Sequence, residues 1–205
     1  MGLSRADYEN QDLMGWTGYW RFDQSATGVL SNAALGFGLC LPLSCQWIVL
    51  AKKSDKYFSE LNTPMLNNYV TECAGVIGPK MRGNQDKALE WMKNQSVHPI
   101  GRTQKNISLH MLKAVTVAFS NAHLLFVIKE DDQQNDRGIE GHAIALQLGT
   151  SENGAGLLSV DSVVFDPNYG EFTFPTTEKA IDFVMLLLGC DTYKKFNRFN
   201  FINFN

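Results

Sequence analysis

The sequence predicts an α+β domain in which N-terminal helices pack on an antiparallel sheet formed by the C-terminal half. Three observations support this class. Apolar residues recur at helical spacing from Cys40 onward, extended apolar runs begin at Ala122, and a glycine-bearing turn joins two of those runs. The length of 205 residues and the hydrophobic fraction of 44% suit one globular domain with its own core.

Helices are predicted mainly before residue 95. Between about Cys40 and Lys53, the residues Leu43, Trp47 and Leu50 recur at helical spacing and indicate a buried helix. Further helices are expected over Asp55–Ile77, with a break or new first turn at Pro64, and over Asn84–Asn94; Gly78-Pro79 should stop helical structure between them. Residues 1–35, which have no sustained periodicity, are predicted to form an irregular N-terminal segment.

Strands are predicted after residue 121. The expected strands are Ala122–Lys129, His142–Leu148, Leu157–Phe165 and Glu171–Phe174, with a polar loop over Glu130–Glu140 and a turn containing Gly149, Asn153, Gly154 and Gly156. Apolar residues between Thr177 and Leu188 lie on one helical face, which predicts a last helix. The alternating Asn and Phe residues from Asn197 to Asn205 fit either a terminal strand or a frayed tail.

Composition and charge argue against several classes of protein. The formal net charge is −3 and no basic stripe is present, so nucleic acid is not expected as a partner. The sequence has no run of eighteen apolar residues, which is about the length that a membrane-spanning helix needs. The four cysteines show no C-x-x-C pair or ligand spacing, which favours free thiols and predicts neither a metal nor a cofactor.

Cys40 is the first candidate for chemistry. The glycine-bearing segment around Gly38 delivers this cysteine to the predicted first turn of a helix. A helix N-terminus favours a thiolate and leaves backbone N–H groups free to hold an oxyanion. The competing interpretation is a small buried residue without a chemical role, because free cysteines are among the most buried residue types.

His142 and Asp166 are the second and third candidates. His142 opens a strand after a polar loop, and Asp166 ends the next strand at a turn marked by Pro167 and Gly170. The Asp166 carboxylate could instead simply cap that turn. Because the two strands are neighbours, we expect a His142 ring nitrogen at hydrogen-bond distance, roughly 2.6–3.2 Å, from this carboxylate. The competing histidines are His98, His110 and His123.

In chain order, these motifs resemble the YopT/AvrPphB family of cysteine proteases, bacterial effectors with a papain-like fold. The family's nucleophile motif, approximately G-x-C-x-x-L-S-x-x-W, is matched by Gly38, Cys40, Leu43, Ser44 and Trp47. Its second motif is matched by Gly141, His142 and Ala143, and its third, F-D-P-N-x-G-E-F, by Phe165, Asp166, Pro167, Asn168, Gly170, Glu171 and Phe172. The resemblance implies a papain-like catalytic domain over residues 36–205, with Cys40, His142 and Asp166 as its triad.

One papain-like feature is missing from its usual place. Papain-like enzymes carry a Gln or Asn a few residues before the cysteine, which completes the oxyanion hole. No such side chain occurs from Ala34 to Phe37, which leaves Gln24 and Asn32 as candidates. We favour Gln24, because it follows the aromatic residue Phe22 in a context that resembles the family's.

The resemblance implies a protease effector that cleaves a protein of a host or target cell. A glutamine deamidase or transglutaminase-like enzyme on the same triad is the first alternative, because a triad identifies the nucleophile but not the acceptor. An inactive papain-like interaction domain is the second. We expect secretion without a signal peptide and delivery into a target-cell cytoplasm. A secretion chaperone or an immunity protein is a further expected partner.

Overall fold

The computed structural model describes residues 4–27, 38–107, 121–129, 141–149 and 161–204. It confirms the α+β class, because helices flank one seven-stranded sheet in which every paired neighbour is antiparallel. Among the described residues, none of the helices is both long enough and apolar enough to span a membrane.

The helices agree closely with the prediction from apolar spacing. They are α1 (Arg5–Tyr8), α2 (Gln11–Met14), α3 (Cys40–Ser54), α4 (Thr63–Glu72), α5 (Gly78–Met81), α6 (Gln85–Asn94) and α7 (Thr177–Leu188). Short 3₁₀ turns form at Gln24–Thr27 and Phe58–Glu60, and a π-helical turn forms at Cys73–Ile77. Asn84 caps α6 by accepting hydrogen bonds from the N–H groups of Asp86 and Lys87.

The prediction that Gly78-Pro79 stops helical structure is wrong. The chain passes from the π-helical turn directly into α5, with Pro79 in the first turn of that helix. A proline is tolerated there because its missing N–H would have had no intrahelical partner. Helical structure ends instead at Arg82, which has a positive φ of 48°.

The sheet has the strand order β1-β6-β5-β4-β3-β7-β2. The strands are β1 (Gly18–Arg21), β2 (Ile100–Ile107), β3 (Ala122–Lys129), β4 (Gly141–Leu148), β5 (Ser162–Asp166), β6 (Gly170–Phe174) and β7 (Arg198–Phe204). Of the two alternatives for the C-terminus, the strand is correct, and β7 lies between β3 and β2. Most of the predicted turn after Gly149, the polar loop at 130–140 and His110 lie outside the described residues.

Two apolar clusters cover the two faces of the sheet. On one face, α3 packs on the strands, and its cluster includes Leu43, Trp47, Leu125, Ala145 and Phe165. On the opposite face lie α7 and the N-terminal helices, with Tyr8, Phe126, Ile144, Phe172 and Phe183. Since side chains alternate along a strand, His142 and Asp166 share the α7 face with Ile144 and Val164.

The N-terminal segment differs from the irregular structure expected for residues 1–35. Its β1 strand pairs with β6 at the sheet edge, where Tyr19 stacks on Phe172 with ring centroids 4.7 Å apart. A strand of four residues is too short to show a periodicity, which is why the sequence did not reveal it. The boundary between 1–35 and 36–205 falls outside the described residues and stays a prediction.

Gly170, the first residue of β6, is expected to tolerate no side chain. Its φ is +123°, and a Cβ there would lie closer than van der Waals contact to the backbone of Trp20 and Phe22. We expect Gly170→Ala to lower the free energy of unfolding by about 3 kcal/mol, measured by urea denaturation. The matched control is Gly75→Ala, where a Cβ meets nothing within 4 Å, and we expect a change within about 1 kcal/mol. Equal stability of the two variants would contradict the pairing of β1 with β6.

Candidate active site

Cys40 is the first residue of α3, as the sequence predicts. Gly38 precedes it with a φ of +68°, a conformation that glycine adopts without strain, and Pro42 occupies the first helical turn. The Cys40 side chain is only 6% exposed, and its Sγ lies 4.0 Å from the carbonyl oxygen of Gly141, the first residue of β4. The helix therefore delivers the thiol to the start of the His142 strand.

Two polar side chains of α3 hold the helix on the sheet. The Ser44 hydroxyl donates to the Ala143 carbonyl at 3.0 Å, and the Trp47 Nε1 donates to a Glu171 carboxylate oxygen at 2.7 Å. The Trp47 ring also stacks on Phe165, with an interplanar angle of 7°. The non-reactive residues of the cysteine motif thus serve to fix the position of Cys40 relative to β4, β5 and β6.

Glu171 is the buried residue that accepts the Trp47 hydrogen bond. Its carboxylate also accepts hydrogen bonds from the backbone N–H groups of Phe58 at 2.8 Å and Ser59 at 3.2 Å. Burial raises the pKa of Glu171 above its ordinary value, although these hydrogen bonds act in the opposite direction. One carboxylate therefore joins α3, the 3₁₀ turn at Phe58–Glu60 and β6.

His142 and Asp166 form the hydrogen bond expected from the sequence. The Nε2 of His142 lies 3.0 Å from the Oδ1 of Asp166. The strand register explains the contact: Ala145 pairs with Phe165, so Asp166 is diagonal to His142 on the same face. Both side chains are enclosed, at 5% and 0% exposure. Because Nε2 faces the carboxylate, Nδ1 is the ring nitrogen left for the Cys40 thiol.

The surroundings of His142 favour its protonated form. Burial alone would lower the pKa of His142, but the charge and hydrogen bond of Asp166, followed by a hydrogen bond and the charge of Cys40, raise it to about 10. An imidazolium beside a cysteine favours the thiolate. The arrangement can therefore hold an imidazolium beside Cys40, with the Asp166 carboxylate on the other side of the ring.

The Asp166 carboxylate has partners besides His142. Its Oδ1 accepts from the Asn168 backbone N–H at 2.8 Å, so the turn-capping role also occurs. The Tyr193 hydroxyl lies 2.9 Å from Oδ2 and 3.0 Å from the His142 Nε2, and the Tyr193 ring stacks on the imidazole with centroids 4.8 Å apart. Sequence reasoning missed Tyr193, because no motif marks it in the segment after α7.

Comparison with known proteins identifies a family for this chain. A family model described as Yersinia/Haemophilus virulence surface antigen, Peptidase_C58, matches residues 78–205. The chain belongs to the Peptidase_C58 family. The matched range contains His142 and Asp166, whereas Cys40 lies N-terminal to it. A comparison with curated proteins finds no match.

Two solved structures resemble this chain in fold. The crystal structure of the Pseudomonas avirulence protein AvrPphB has a TM-score of 0.60 and 17% identity; the match covers 98% of this chain and 100% of that one. The crystal structure of PatoxP, a cysteine protease-like domain of the Photorhabdus asymbiotica toxin PaTox, has a TM-score of 0.51 and 14% identity, with coverage of 93% and 54%. The family resemblance read from the motifs is thereby confirmed, and so is the papain-like fold. The chain is a cysteine peptidase.

Gln24 lies beside the turn that follows Asp166. Its backbone N–H donates to the Pro167 carbonyl at 2.8 Å, and its Nε2 donates to the Asn168 Oδ1 at 2.6 Å. The 3₁₀ turn at Gln24–Thr27 thus brings a residue from far upstream of Cys40 next to the turn that follows Asp166. Its assignment to the oxyanion hole stays a prediction.

Two of the competing histidines, His98 and His123, belong to the described residues, and both lie away from Asp166. His98 is exposed in the connection between α6 and β2. His123 pairs with Gln147 at the opposite end of β3 and β4 from His142, five residues along the strand, or roughly 17 Å. Its Nε2 lies 3.1 Å from the Gln147 Oε1. Neither histidine faces Asp166.

His123 is expected to affect acid stability and not catalysis. Burial, followed by the charge of Lys52, lowers the pKa of His123 to about 4, so its stabilising contribution is present above pH 6.5 and lost as the pH falls toward 4. We expect His123→Gln to reduce the loss of unfolding free energy over this pH interval by on the order of 1–3 kcal/mol, measured by urea denaturation at both pH values. Turnover should stay within about twofold of wild type. A parallel pH dependence in both proteins would refute the neutral state of His123.

Proposed function

We propose that this chain is a protease in which Cys40 is the nucleophile, His142 the general base and acid, and Asp166 the group that orients the imidazole. The observation that carries the proposal is the buried hydrogen bond between His142 and Asp166, placed where α3 delivers the Cys40 thiol. A base that is itself oriented by a third group is the arrangement that nucleophilic catalysis by cysteine requires.

The proposed reaction begins when His142 takes the thiol proton of Cys40 through Nδ1. The thiolate attacks the carbonyl carbon of a peptide bond and forms a tetrahedral oxyanion. His142 then protonates the leaving amine as the C–N bond breaks, which leaves a thioester on Cys40. Water, deprotonated by His142, attacks the thioester and releases the carboxylic acid and the free thiol.

The oxyanion in this mechanism is held at the N-terminus of α3. The first N–H groups of a helix have no intrahelical acceptor and point out of its N-terminal end. The Cys40 N–H is therefore the first proposed donor. Gln24 is the proposed side-chain donor, because the 3₁₀ turn holds it against Asn168, close to the triad.

We further propose that the substrate is a protein of a host or target cell, and that the chain acts as a secreted effector. The family description as a virulence surface antigen supports this setting. Delivery would be into the cytoplasm of a target cell, and a secretion chaperone or an immunity protein would bind the chain before delivery.

The test is a survey of new protein N-termini in host-cell lysate treated with wild type or with the Cys40→Ala variant. The protease proposal predicts N-termini that appear with wild type alone. If wild type instead causes only a small mass gain at glutamine side chains, the enzyme is a deamidase and the cleavage proposal fails. Unchanged proteins, together with Cys40 alkylation no faster than that of the buried Cys45, would support an inactive interaction domain.

A further inference from the structure

Tyr193 is a buried residue that the proposed mechanism does not use. It lies in the segment that joins α7 to β7, and its side chain is 2% exposed. Its hydroxyl lies within 3.1 Å of both Asp166 oxygens and 3.0 Å from the His142 Nε2. Its ring is nearly parallel to the imidazole, at an interplanar angle of 18°. Tyr193 therefore contacts both members of the pair at once.

The direction of the hydroxyl proton follows from the neighbouring amide. The Asn168 Nδ2 can only donate, and it donates to the Tyr193 oxygen at 2.8 Å. The single proton of the phenol is thus free for the Asp166 carboxylate, which can only accept when it is ionised. Burial, followed by the charge of Asp166, raises the pKa of Tyr193 well above its ordinary value, so the phenol keeps this proton.

We infer that Tyr193 is a positioning residue for the reaction. Its hydroxyl fixes the Asp166 carboxylate in the orientation that holds His142, and its ring fixes the plane of the imidazole and covers the pair on the α7 side of the sheet. Asp166 is held on two sides, by the Asn168 N–H within its own turn and by Tyr193 from another element. The inference rests on the proposed function, because it assigns Tyr193 a role in the same site.

A local observation separates this role from ordinary core packing. Tyr169 is a second buried tyrosine on the same face of the sheet, edge-on to Tyr193 with centroids 6.2 Å apart. Its hydroxyl, however, pairs with the Thr192 hydroxyl at 3.3 Å and not with the triad. Tyr169→Phe is therefore a matched control that removes a buried phenolic oxygen from the same cluster without touching His142 or Asp166.

The test compares Tyr193→Phe, Tyr193→Leu and Tyr169→Phe. The first readout is the rate of Cys40 alkylation by iodoacetamide as a function of pH, followed by mass spectrometry, because it needs no substrate. We expect Tyr193→Phe to lower the alkylation rate at mildly acidic pH by roughly three- to tenfold and to move the acidic limb of the rate–pH profile to higher pH. The reason is that an imidazolium whose carboxylate partner has lost a hydrogen bond favours the thiolate less. Tyr193→Leu should add about a further threefold loss from the missing ring stack.

The second readout is turnover of a substrate found in the N-terminus survey. We expect Tyr193→Phe to lower kcat by roughly three- to tenfold with KM little changed, and to lower Tm by about 3 °C at most. Tyr169→Phe should match wild type in alkylation and turnover. Equal effects of Tyr193→Phe and Tyr169→Phe, or a loss of Tm without a change in the alkylation profile, would overturn the inference. Slow alkylation and no cleavage by wild type would instead refute the proposed function.

Discussion

Replacement of Cys40 by alanine is expected to lower proteolytic turnover by at least about 10⁴-fold. In the proposed mechanism, the substitution removes the atom that forms the covalent bond to the substrate, and the oxyanion donors alone provide only a small residual rate. The free energy of unfolding should change by about 1 kcal/mol at most, because only one buried sulfur is lost. Turnover of a substrate from the N-terminus survey and urea denaturation measure the two effects.

Cys45 offers the control for this experiment. It lies on the same helix but is fully enclosed, and burial raises its pKa well above the ordinary value for a thiol. We expect Cys45→Ala to keep turnover within about threefold of wild type while it lowers stability through a small cavity. Activity retained in Cys40→Ala and lost in Cys45→Ala would move the nucleophile to Cys45 and contradict the proposed mechanism.

His142→Ala is expected to lower turnover by roughly 10⁴-fold or more, and Asp166→Ala by a factor about ten to a hundred times smaller. In the proposed mechanism, His142 transfers the protons, whereas Asp166 orients the imidazole ring and favours its charged form. The order of the two losses is therefore the informative result. Steady-state turnover of the three proteins on one substrate measures it.

Asp166→Asn separates the two structural roles of this side chain. An asparagine keeps an oxygen for the Asn168 N–H, so the turn should survive, but it offers His142 no charge. We expect Asp166→Asn to keep the native fold, as judged by circular dichroism, and to lose activity like Asp166→Ala. If Asp166→Asn is fully active, the carboxylate serves only the turn, and its catalytic assignment is wrong.

The sequence predicts those parts of the fold whose signals are local. The helical spacing of Leu43, Trp47 and Leu50 places Cys40 at a helix start, and the apolar run of β3 gives that strand within the bounds Ala122–Lys129. The contact between His142 and Asp166 is also predictable, because both residues lie at the ends of neighbouring strands. Periodicity and turn residues are sufficient for these elements.

Other parts of the site depend on long-range packing and escape sequence reasoning. β1 joins the sheet only because β6, about 150 residues later, offers an open edge. Tyr193 reaches the imidazole because α7 returns the chain to the same end of the sheet. Gln24 likewise lies next to Asn168 through the tertiary fold and not through any spacing from Cys40. None of these contacts has a local pattern.

The Glu171 carboxylate has a consequence for how the molecule loses its activity. If α3 moved away from the sheet, Trp47 would withdraw its N–H and leave part of a buried carboxylate unpaired, which is costly. Partial opening between the thiol-bearing helix and the imidazole-bearing strand is therefore unfavourable. Cys40 and His142 should lose their alignment in one step, so that activity and global tertiary structure disappear together along a denaturant titration.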